Sequence, residues 1–95
     1  MFERTPSFNQ PIGNWDVSSV TNMFIMFQFT SSFNQPIGNW DVSSVTEMGF
    51  MLNATSSFNQ DLGNWNTNNV TSCFNFSQNS PQWTLPKPNF TNCTP

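Results

Sequence analysis

The chain has 95 residues, enough for one small domain, and its charged residues make up 7%, far below the roughly 25% usual in globular proteins. Its net charge of −3 and its only two cations, Arg4 and Lys87, exclude a function that depends on neutralising phosphates, whether on nucleic acid or on an anionic membrane. An aromatic content of 16% is not that of a disordered chain.

In chain order, Met1-Phe2-Glu3-Arg4 lacks the basic start and long apolar run of a signal peptide. No later run approaches the ~20 apolar residues of a membrane span. Met1-Phe2 aligns with Met26-Phe27, so residues 1–7 are expected to be a partial coil and the chain to begin in mid-coil. The block FNQPIGNWDVSSVT then runs from Phe8 to Thr21, returns unchanged from Phe33 to Thr46, and returns as FNQDLGNWNTNNVT from Phe58 to Thr71. The period is 25 residues in both steps, which defines coils at 8–32, 33–57 and 58–82.

Each coil repeats the same apolar columns. These are Phe8, Phe33 and Phe58; Ile12, Ile37 and Leu62; Trp15, Trp40 and Trp65; and Val20, Val45 and Val70. Met23 and Met48 form a further column with Cys73, and Met26 and Met51 one with Phe76. Such a unit cannot bury its apolar face alone, so the coils are expected to stack and share a core. The alternation in Asn14-Trp15-Asp16-Val17 suits a short strand, preceded by a turn at Gly13, Gly38 and Gly63. Apolar spacings of three and four over residues 21–27 suggest a helical turn on the opposite side. The expected fold is therefore an α/β-type repeat solenoid of the leucine-rich type. Short parallel strands would line one face, about 4.8 Å apart, and turns or short helices the other. The whole chain, 1–95, reads as one domain.

The last segment, 83–95, departs from the period. Val70-Thr71-Ser72-Cys73 matches Phe90-Thr91-Asn92-Cys93 at a spacing of 20, which places Leu85 in the Trp slot of a shortened fourth coil. Pro86 and Pro88 cannot donate to a ladder, so this segment reads as a C-terminal cap. Cys73 and Cys93 fall in equivalent slots of neighbouring coils, at a separation suited to a disulfide. Two buried thiols are the alternative.

Catalytic chemistry has little material: there is no His and no Tyr, and the acids are Glu3, Asp16, Asp41, Glu47 and Asp61. Asp16 and Asp41 lie one coil apart, but Asn66 takes the third place, so the column reads as solvated polar residues rather than a cation site. No enzyme, cofactor or metal is expected. The Trp column reads as core. Turned outward, it would form a ladder for stacking on sugars or a protein. Ser19, Ser44 and Asn69, with Thr21, Thr46 and Thr71, form polar ranks too mixed in type to match ice, so hydrogen-bonded ladders are expected there. Five N-x-[ST] sequons, at Asn53, Asn69, Asn75, Asn89 and Asn92, are candidate glycan acceptors in a eukaryotic secreted protein.

The block FNQPIGNWDVSSVTNM, continued by Met26-Phe27, resembles a family of bacterial surface-protein repeats of about 25 residues, found in long arrays in mycoplasmas, spirochaetes and Bacteroidetes. The run from Trp15 to Phe33 is also similar to the BspA-type leucine-rich repeat, with Trp15, Val17, Val20-Thr21-Asn22-Met23, Met26-Phe27 and Thr30 in its slots. The resemblance implies cell-surface or extracellular exposure, adhesion to protein or glycan partners and no catalysis. Two alternatives stand beside that reading: a subunit that assembles with other copies of itself into a filament or surface layer, and a fragment of a longer array.

Overall fold

The computed structural model describes residues 2–95. Its three 25-residue units, 8–32, 33–57 and 58–82, stack in sequence order, and residues 83–95 lie against the third. The repeat period appears directly in the hydrogen bonds. Thr46 N–H donates to Thr21 C=O at 2.8 Å and Thr71 N–H to Thr46 C=O at 2.9 Å, each one unit apart.

The expected α/β solenoid is not what forms. Among the described residues there is no helix, and extended pairing shrinks to two isolated parallel bridges, Asn22 to Glu47 and Glu47 to Ser72. The units are chains of turns in a compact body of 30 × 26 × 22 Å. Local side-chain hydrogen bonds explain the missing strand. At 14–17 the Asp16 carboxylate accepts from Ser18 N–H at 3.0 Å, which curls the backbone into an Asx turn. Trp15 N–H and Val20 N–H close further turns onto Ile12 and Val17.

The expected helix fails for a related reason. Ile25 and Phe29 hold φ of 53° and 61°, and their equivalents Phe50, Ala54, Asn75 and Asn79 are also left-handed. A left-handed residue at every fourth position interrupts any α-helical run. The backbone instead alternates its duties. Met23, Ile25, Phe27 and Phe29 donate N–H to the C=O groups of Glu47, Gly49, Met51 and Asn53 in the next unit at 2.8–3.0 Å. The intervening Met26, Gln28 and Thr30 close turns onto Met23, Ile25 and Phe27. Unit two repeats the pattern: Met48, Phe50, Leu52 and Ala54 donate to Ser72, Phe74, Phe76 and Gln78. Along 23–29 and 48–54 each backbone N–H that bonds to a neighbouring unit points forward.

The core holds Ile12, Met23, Phe33, Ile37, Trp40, Val45, Met48, Met51, Phe58, Leu62, Trp65 and Val70. Phe8, Val20 and Met26 are half-buried against it. Trp40 and Trp65 each donate their indole N–H to the preceding unit, to Ile12 C=O at 3.1 Å and Ile37 C=O at 3.0 Å. Trp15 departs from the expected core column. It is 44% exposed, with its ring centroid 5.7 Å from that of Phe2. Leu85 also departs from its expected slot, lying exposed, while Trp83 continues the Phe column with its ring edge-on to Phe58 at 4.8 Å.

Three further ladders have no counterpart among the expected columns. Phe27 and Leu52 are fully buried, and Phe27 stacks on Phe33 with ring centroids 4.4 Å apart. Thr30, Thr55 and Ser80 are buried hydroxyls that donate to Phe2, Phe27 and Leu52 C=O at 2.7, 3.0 and 2.6 Å. Asn9 accepts from Asn34 N–H and Asn34 from Asn59 N–H, both at 2.8 Å, and Asn59 in turn from Thr84 N–H at 2.9 Å.

Candidate binding surface

The stacking register lines up exposed Phe24, half-buried Phe50 and exposed Phe74 as a ridge. Phe24 and Phe74 share one column and Phe50 belongs to the next, so the ridge zigzags across the three units. Its rings meet edge to face, Phe24 to Phe50 at 6.0 Å and Phe50 to Phe74 at 5.7 Å. Phe24 is 47% and Phe74 62% exposed. Gly49, the member of the Phe24 column in unit two, makes room for them: a Cβ there would come within 3.3 Å of the Phe24 ring. Nearby, Phe29 is exposed beneath the Arg4 guanidinium, 4.8 Å from its ring centroid. The ridge leaves a trace in the sequence. Phe-Ile at 24–25 becomes Gly-Phe at 49–50 and Phe-Asn at 74–75, a side chain displaced by one position and then restored. A search for uniform columns passes over such a shift.

The alternative of an outward Trp ladder does not form, since Trp40 and Trp65 face the core. Asp16 and Asp41 are exposed, and their turns explain why Asn serves in the third unit: Asn66 accepts from Asn68 N–H at 3.1 Å just as Asp41 accepts from Ser43 N–H. The Ser43 hydroxyl first, and the Ser43 amide second, hold the Asp41 carboxyl below its usual range, and Ser18 does the same for Asp16. A folded-state pKa below the unfolded one stabilises the fold above about pH 4, and that stabilisation is lost as pH falls through the folded value. Asp41→Asn keeps the acceptor. It is expected to leave the melting temperature at pH 7 nearly unchanged and to flatten its decline below about pH 4, as thermal melts across pH will show.

Among the described residues no group of three or more His, Cys, Asp or Glu could hold a metal ion. Among the described residues there is no helix long and apolar enough to cross a membrane. Of the sequon residues, Asn53 is buried, accepting from Gln28 at 3.1 Å and donating to Gln78 C=O at 2.9 Å, so its amide is closed to a glycosylating enzyme in the folded chain. Asn69 and Asn92 are exposed but donate to Ser43 and Asn68 C=O at 2.7 Å. Asn75 is half-buried and Asn89 exposed.

Cys73 and Cys93 are joined by a disulfide, with Cα atoms 5.9 Å apart. The bond fastens the last segment to unit three, where Phe90 packs on Phe76 at 5.0 Å and Thr67 donates to Asn89 C=O at 2.9 Å. A cross-link of this loop length contributes about 3 kcal/mol. Cys93→Ser is therefore expected to lower thermal stability by that order, and a reducing agent should reproduce the loss in the wild type and not in the variant.

Residues 1–88 match the family described as Mycoplasma protein of unknown function, DUF285. The chain belongs to that family. No curated protein and no solved structure gives a match. The DUF285 match covers the partial first turn, all three units and Trp83, whose ring closes the Phe column.

Proposed function

We propose that this DUF285 chain is a non-catalytic binding module of the cell surface or extracellular space, and that the Phe24–Phe50–Phe74 ridge is its contact with a protein partner. The observation that carries the reading is the ridge itself: a chain able to bury Phe27, Phe33 and Phe58 fully leaves Phe24 and Phe74 exposed, with half-buried Phe50 joining them. Contiguous exposed apolar surface of this kind marks interaction sites. Interplanar angles of 87° and 70° turn successive rings away from any shared plane, which favours an apolar protein surface over the flat face of a glycan. The disulfide supports an oxidising compartment. The likeness to surface repeats and to BspA-type repeats supports the placement. Repetition across units suits many weak contacts acting together.

A phage-displayed random peptide library panned on the folded chain tests this. The reading expects apolar peptides that bind the wild type and lose binding to a Phe24→Ser, Phe50→Ser, Phe74→Ser triple variant. Peptides indifferent to the triple variant would count against it. So would a glycan array giving hits that survive it.

A further inference from the structure

Beside the ridge, the middle unit carries a charge that its neighbours lack. One column reads Asn22, Glu47 and Ser72, and the ridge column two places on reads Phe24, Gly49 and Phe74. In unit one the Asn22 side-chain oxygen accepts from Phe24 N–H at 2.9 Å. In unit two Glu47 Oε1 accepts from Gly49 N–H at 2.7 Å. A neutral acceptor closes this turn in unit one, so the turn does not need the charge on Glu47. Glu47 is half-buried, and its second oxygen, Oε2, makes no hydrogen bond and is open to water. The chain's two cationic side chains are engaged on other rings: Arg4 lies over Phe29 at 4.8 Å and Lys87 over Trp83 at 4.9 Å.

Aromatic surface borders this carboxylate. A Cβ at Gly49 would meet Glu47 Oε1 at 2.9 Å and the Phe24 ring at 3.3 Å, so the two side chains lie together over the buried Gly49. Phe50 meets Phe24 edge to face and joins it to Phe74. A carboxylate beside a phenylalanine attracts a cation twice, through its charge and through the ring quadrupole. Arg4 on Phe29 shows a phenylalanine of this chain already holding a cation.

We infer that Glu47 and Phe24 seat a basic side chain, lysine or arginine, of the protein partner that docks on the ridge. The inference rests on the ridge reading and adds a charge requirement to it. A partner that covers Phe24 also covers Glu47 Oε2, and burying that oxygen without a donor is costly. The carboxylate therefore selects, among apolar surfaces, those that carry a cation, and rejects those that carry an acid.

Peptides selected on the wild type from a random phage library test this, once synthesised and titrated by calorimetry. Glu47→Gln keeps an acceptor for Gly49 N–H, and its melting temperature is expected to match that of the wild type. The peptides are expected to carry Lys or Arg among apolar residues and to bind Glu47→Gln about tenfold more weakly. Replacing that Lys or Arg by Met should weaken binding to the wild type by a similar factor and change binding to Glu47→Gln little. Peptides that lose the Phe24→Ser, Phe50→Ser, Phe74→Ser triple variant but bind Glu47→Gln as tightly as the wild type would overturn the inference and leave the ridge reading standing. Peptides indifferent to the triple variant would overturn both, as would a library that yields none. Should Glu47→Gln melt early, the peptide substitution on the wild type decides, and an unchanged affinity there overturns the inference.

Discussion

Phe33→Ala is expected to destabilise the fold by about 4 kcal/mol, a large part of the total stability of a domain this size. Phe33 is fully buried at the centre of the aromatic column, with Phe8 5.9 Å above, Phe58 5.8 Å below and Phe27 4.4 Å to the side. Removing its ring deletes three ring contacts and leaves a cavity that turn-rich backbone, tied to both neighbouring units, cannot close. Phe24→Ala on the ridge is the matched control. That ring is half in water, and its loss should change stability by no more than about 0.5 kcal/mol. Urea denaturation of both variants separates the two roles of phenylalanine in this chain. Similar losses in both would mean that the ridge belongs to the core.

The second large effect comes from adding an atom. A Cβ at Gly38 would lie 2.4 Å from the Asp61 carbonyl oxygen of the next unit, and one at Gly13 would lie 2.7 Å from Pro36 C=O. Neither glycine has a positive φ, so these positions are small because neighbouring backbones approach there, and not because the turn needs a left-handed residue. Gly38→Ala is expected to cost about 3 kcal/mol through overpacking against backbone. Gly63→Ala should cost less than about 1 kcal/mol, since its Cβ would meet only the side chains of Asp61 and Pro86, at 3.2 Å. Thermal melts of the two variants, compared under one condition, check the ranking.

Much of the packing was legible in the sequence. The 25-residue period predicted which residues meet, and Trp40, Trp65, Val45, Val70, Met23, Met48 and Met51 lie in the core. The pairing slots of Cys73 and Cys93 pointed to their bond. The secondary structure was not legible. Alternation at 14–17 and spacings of three and four at 21–27 are the usual signs of strand and helix. Here Asp16 and Ser18 turn the first, and left-handed Ile25 and Phe29 break the second. Bulky residues rarely adopt such φ values, and no sequence pattern announces them. The ladders of Thr30, Thr55 and Ser80 and of Asn9, Asn34 and Asn59 repeat as visibly as the Phe column. Periodicity alone does not show that polar residues are buried or bonded between units. Trp15 shares its residue type with Trp40 but not its surroundings: Trp40 is buried with its indole N–H on Ile12 C=O, and Trp15 is exposed.

Amide hydrogen exchange by NMR on the dilute chain tests the central claim, the alternating forward ladder, most directly. The account predicts slow exchange at Met23, Ile25, Phe27 and Phe29 and at Met48, Phe50, Leu52 and Ala54, with fast exchange at Asn75, Ser77 and Asn79. Uniform protection across 24–29 with sequential helical contacts, or protection of the 73–79 row equal to that of the two rows above it, would contradict the account.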